Sequence, residues 1–147
     1  MKEAFLFLYK RDLLNLKKEI ESYRNESNLW ILEGQIKNTA GNLALHLCGN
    51  LQHFIGHVLG GTAYIRNRDL EFAAKDVPKE EIIQEINITI QTLEEVIPKL
   101  DESAIDQAFP IQVFKEPYTI FQMIVHLQGH LNYHLGQVNY HRRIIES

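Results

Sequence analysis

The chain has 147 residues, 45% of them hydrophobic and 23% charged, with a formal net charge of -4. This apolar content and low charge exclude a disordered chain and fit one globular domain over residues 1–147. A pI near 6.0 lacks the basic footprint of a nucleic-acid binder, so no nucleic-acid partner is expected.

The apolar run Ala4–Tyr9 is broken at once by Lys10, Arg11 and Asp12. It is too short for a signal-peptide core or a membrane span, which makes the cytoplasm the expected compartment. Leu6, Tyr9, Leu13, Leu16, Ile20 and Tyr23 recur every three or four residues, predicting an amphipathic helix over Lys2–Tyr23 that the polar stretch Arg24–Asn28 ends. Trp30, Ile31 and Leu32 read as a short turn tucked under the helices. A second helix over Thr39–Gly61 carries Leu47, Leu51, Phe54 and Val58, with Gly60-Gly61 as its stop. Its only cysteine, Cys48, rules out an internal disulfide and reads as a small buried hydrophobe.

Thr62–Val77 is a charged connection holding Arg66-Asn-Arg-Asp69 and Glu71-Phe72. A crossover and a decorated loop both fit it. The third helix opens at Asp76 and Pro78, with Glu80 and Glu81 suiting the helix dipole. Its stripe is Ile82, Ile86, Leu93, Val96 and Leu100, and Pro98 ends or kinks it. Asp101–Tyr118 reads as a loop with an extended piece at Ile111–Phe114, bracketed by Pro110 and Pro117. Thr119 and Gln122 match a capping box opening a fourth helix to about Ile145, with Ile120, Ile124, Leu127, Leu131, Leu135 and Val138 as its stripe. Four long amphipathic segments without a sheet predict an all-α protein, an antiparallel four-helix bundle.

Seven histidines fall on two of these helices only. His46, His53 and His57 lie on the second, and His126, His130, His134 and His141 on the fourth. At about 100° per residue, His53 and His57 sit within about 20° of His46, and the fourth helix gathers its histidines within about 80°. Two histidines four apart point the same way and can share one ion. His130 and His134 form such a pair, and His46 on a facing helix is the natural third ligand. Three protein ligands leave a position open, as in catalytic rather than structural zinc. No HExxH and no ExxH occurs, which excludes the zincin and di-iron carboxylate patterns. Imidazole ligation suits Zn, Ni, Cu or Fe. Gly49, Gly56, Gly129 and Gly136 sit inside these two helices and read as places of close helix approach.

The segment His126-Leu-Gln-Gly-His130-Leu-Asn-Tyr-His134-Leu-Gly-Gln-Val138 resembles the last helix of the DinB-like (damage-inducible) family. That helix looks like HxxxHxGQI, with Val138 replacing isoleucine here. His46 in Leu45-His46-Leu47 matches the histidine near the start of the family's second helix. The Gly49-Asn50-Leu51 and Arg66–Phe72 stretches look similar to an uncharacterised bacterial subgroup. The resemblance implies a DinB-like four-helix bundle with one divalent metal on His46, His130 and His134, often in a homodimer, with Zn, Ni, Fe and Mn all open. It implies a possible S-transferase using a small thiol such as bacillithiol or mycothiol, some relatives being isomerases instead. On that reading Arg66, Arg68 or Asp69 contacts a charged substrate, and simple solvation or a salt bridge fits them equally. His53, His57, His126 and His141 go beyond the three-histidine pattern and would support a ligand from behind, supply a fourth or shuttle a proton, with His53 and His126 the first candidates for an extra ligand. Two alternatives stay open, a metal-dependent hydrolase and a non-catalytic metal-binding dimer.

Overall fold

The computed structural model describes all 147 residues, and the chain is all-helical, without a named strand. Its long helices are α1 (Lys2–Glu21), α2 (Ala40–Leu51), α4 (Lys79–Val96) and α5 (Ile120–Ile145), and a six-residue α3 (Arg68–Ala73) lies between α2 and α4. One apolar core takes residues from all four long helices. None of the helices is long and apolar enough to cross a membrane.

Cross-contacts fix the helix directions. Tyr9 donates to Ile124 O (2.6 Å) and Tyr23 meets His141 (2.7 Å), so α1 and α5 run the same way. Lys2 reaches Pro98 O and Leu100 O at the far end of α4, while Lys79 at its start reaches Tyr23 O, so α1 and α4 are antiparallel. Gln52 bonds Thr89 (3.2 Å), and a Cβ on Gly56 would lie 2.9 Å from Thr92, so α2 and α4 are parallel. The connection between α2 and α4 is therefore a crossover. Asn42 holds it in place, donating to Glu71 O (3.0 Å) and Ala74 O (2.8 Å).

Sequence periodicity places the long helices correctly, and Thr119 and Gln122 form the full capping box. Trp30 closes a 3₁₀ turn (Glu26–Trp30) and lies over Gly41, where a Cβ would come within 2.7 Å of its ring. Two local features depart from expectation. Gln52–Leu59 continues α2 as a π-helix, whose wider i→i+5 turns advance less than 100° per residue. Ile111–Phe114 forms no strand, since it has no partner to pair with, and the one bridge joins Ala108 to Thr119.

Candidate metal centre

His46 lies near the middle of α2, a helix buried along nearly its whole length. Its Nδ1 stands 3.0 Å from Glu71 Oε1. A carboxylate only accepts, so His46 Nδ1 carries the proton and Nε2 is left with a free lone pair. Glu71 is held in turn by Arg66, whose Nε and Nη2 each donate to it at 2.9 Å. Both side chains are largely buried, Arg66 at 12% and Glu71 at 7% exposure. Burial alone would raise the Glu71 carboxyl, but hydrogen bonds from His46 and Arg66 and the Arg66 charge outweigh it and hold the acid below the usual carboxylate range.

α5 supplies the other two histidines. His134 Nδ1 is 2.7 Å from Gln137 Oε1, three residues along the same helix. The amide oxygen accepts, so His134 also keeps its Nε2 lone pair free. His130 lies between the two. Its Nε2 is 3.2 Å from His46 Nε2, and its Nδ1 is buried without a partner. Burial, reinforced by the neighbouring histidines, pushes the His130 imidazole down to about 4, and burial also lowers His134. Both are neutral at pH 7, as ligation requires.

One nitrogen from each of His46, His130 and His134 lies within 4.8 Å of the others, close enough to hold a metal ion. Nitrogens at ~2.0–2.1 Å from a tetrahedral ion stand about 3.3 Å apart, which the 3.2 Å between His46 and His130 matches. The donor set fits a borderline divalent metal.

The remaining predicted residues lie around this cluster. His126 stacks on His130 at 6.5 Å and is edged by Phe114 and Tyr118. His53 stacks on His57 at 6.0 Å. Both belong to the π-helical stretch, which turns them off the His46 line. His141 is spent within the core, its Nε2 donating to Ile31 O and its Nδ1 accepting from Tyr23. Arg66 gives its donors to Glu71, Arg68 lies over the Phe72 ring (5.2 Å), and Asp69 is exposed on α3. Glu71 is the residue that spacing arguments missed. Its sequence signals were an acid in a charged connection and a place in the Arg66–Phe72 stretch of the resemblance, neither of which gave it a role, and the crossover is what brings it to His46.

The centre defines an all-helical protein with a three-histidine cluster built across two helices. A family model described as protein of unknown function (DUF1572) matches residues 5–147, and the chain belongs to that family. No curated protein matches the sequence.

Proposed function

We propose that the chain is a metal-dependent enzyme on a four-helix bundle of the DinB-like type, with His46, His130 and His134 holding one divalent ion. The observation that carries this reading is the 3.2 Å approach of two Nε2 atoms, one of them with its tautomer fixed from behind by Glu71. Helix packing supports the bundle, since α1 and α5 run one way and α2 and α4 the other around a shared core.

Each side chain has a distinct task. Glu71 orients His46 and offsets the charge that a ligated ion brings, and Arg66 fixes Glu71. Gln137 sets the His134 ring. His126 stacks on His130 and is itself backed by Phe114 and Tyr118, an aromatic wall that limits water on that flank. His53 and His126 stand outside the three-nitrogen cluster, which favours an open coordination position over a saturated shell. A bound divalent ion would supply Lewis acidity, lowering the pKa of a thiol or water held in that position. The substrate class we favour is a small thiol, transferred to an electrophilic carbon in an S-transferase reaction.

The test is elemental analysis of untagged protein, wild type against His130→Ala, followed by assays pairing small thiols with electrophiles. One ion per chain in the wild type and none in the variant is the expected result. Absence of metal from the wild type, even after incubation with Zn, Ni, Mn and Fe salts, would refute the reading.

A further inference from the structure

Asn50 sits inside α2 with 7% of its surface exposed. Asparagine is a weak helix former, because its amide competes for backbone hydrogen bonds. A buried one normally makes bonds with its side chain. Asn42, two turns earlier on the same helix, does so, donating to Glu71 O and Ala74 O of the crossover. Asn50 does not, and its Oδ1 is buried without a partner.

Five buried side-chain polar atoms lack a partner, on Trp30, Asn50, Thr62, Gln128 and His130. Three of them lie elsewhere. Trp30 packs over Gly41 at the start of α2, Thr62 follows the π-helical stretch, and Gln128 turns to Asp12 of α1. The other two belong to the facing helices α2 and α5, and they are complementary. Asn50 Oδ1 only accepts, and His130 Nδ1 must donate when its Nε2 is given to a cation.

Helix register brings these two to one level. Leu43 lines one cavity with Gln137 and His141 of α5. His46, three residues on, meets His130 and His134. Advancing along α2 therefore means moving back along α5, and Asn50, one turn beyond His46, comes level with the turn His126–His130. At about 100° per residue Asn50 lies about 40° round from His46, between His46 and Leu43, the two residues that meet α5. Gly49, on the other side of His46, is covered by Glu71 instead.

We propose that Asn50 accepts the His130 Nδ1 proton in the metal-loaded centre, an assignment that rests on the metal reading above. An imidazole that ligates through one nitrogen keeps a proton on the other, and an acceptor for that proton fixes the ring and its tautomer. His46 has Glu71 for this and His134 has Gln137, while His130 alone lacks such a partner. The two atoms are not bonded in the structure, and rotation about the two side-chain bonds of Asn50 is the adjustment the assignment requires. Asn50 is thus a positioning residue, acting on the cation through His130. A neutral amide raises ligand basicity less than a carboxylate does, so the acceptor's charge should tune the site.

Zinc competition with a chelator on the full chain, together with ring-proton NMR of histidine-labelled protein, tests the assignment. Asn50→Leu keeps the size and loses the acceptor, and is expected to weaken zinc binding about ten- to a hundredfold. Asn50→Asp keeps an acceptor and is expected to bind zinc at least as tightly as wild type. In zinc-loaded wild type the His130 Nδ1 proton should be protected from solvent exchange and show a nuclear Overhauser contact to the Asn50 amide. A packing role alone would not give that signature, and reading it needs no variant, so it decides the matter if Asn50→Leu fails to fold. Wild-type zinc affinity in Asn50→Leu, or equal losses in both variants, would overturn the assignment. A wild type that takes up no divalent ion would sink the metal reading and this assignment together, whereas a zinc-loaded wild type without the contact sinks only the role of Asn50.

Discussion

α2 and α5 both carry histidines and internal glycines, yet they do so in opposite surroundings. α2 is enclosed, with nearly every residue from Ala40 to Leu51 buried. Its histidine is oriented by a carboxylate from a distant segment, and Gly49 is bare because Glu71 occupies the space a Cβ would take. α5 is open on one side. His134 is oriented from within the same helix by Gln137, and Gly129 and Gly136 face empty space. The same residue types are therefore fixed by long-range packing in one helix, and in the other by a neighbour on the same helix or by nothing in the chain.

Three measurements sharpen this contrast. The largest effect concerns the α5 histidines. In the metal-free chain His130 is pushed down to about 4 from 6.5, so the unfolded state binds the extra proton between those values. Stability from this group is complete above pH 6.5 and is lost as pH falls toward 4, the loss being less than the full shift would give because solvent screens a half-buried ring. His134 and His141, lowered in the same direction, add to the loss. Urea unfolding at pH 7 and pH 4.5 checks it, and equal stabilities at the two would be inconsistent with a neutral, buried His130.

Gly49→Ala should come next. The new methyl would displace the Glu71 carboxylate and free the His46 ring, costing about 2 kcal/mol of stability and about tenfold or more in metal affinity. Denaturant titration and competition with a chelator measure the two effects, and wild-type metal affinity would show that Glu71 does not position His46. Gly136→Ala should give the smallest change, of opposite sign. It should raise stability by about 0.5–1 kcal/mol, because the methyl meets nothing and the unfolded chain loses freedom. A destabilised variant would mean that Gly136 serves its own fold after all.

Much of this contrast was legible in the sequence. The stripes of α1, α4 and α5 follow ordinary helical periodicity, and the capping box at Thr119 is a local signal read locally. The triad His46, His130 and His134 could be found because helical spacing puts His130 and His134 on one face. What escaped depends on long-range packing. Arg68–Ala73 is too short for a periodic pattern, and Glu71 matters only because the crossover carries it back past Asn42. The π-helical turns that set His53 and His57 aside leave no mark in a 100° count. Close approach was a sound reading for Gly49 and Gly56, but within one chain it fails for Gly129 and Gly136, because nothing in a lone sequence says which helix faces stay uncovered.

The parallel course of α1 and α5 has a consequence for synthesis. Tyr9 finds its acceptor 115 residues later, and His46 meets His130 84 residues later. The α1 side chain Tyr9 must therefore wait for its acceptor until α5 has been made. Before α5 is made the chain has neither a closed core nor a complete ligand set, so closure of the core and assembly of the three-histidine cluster share one late step.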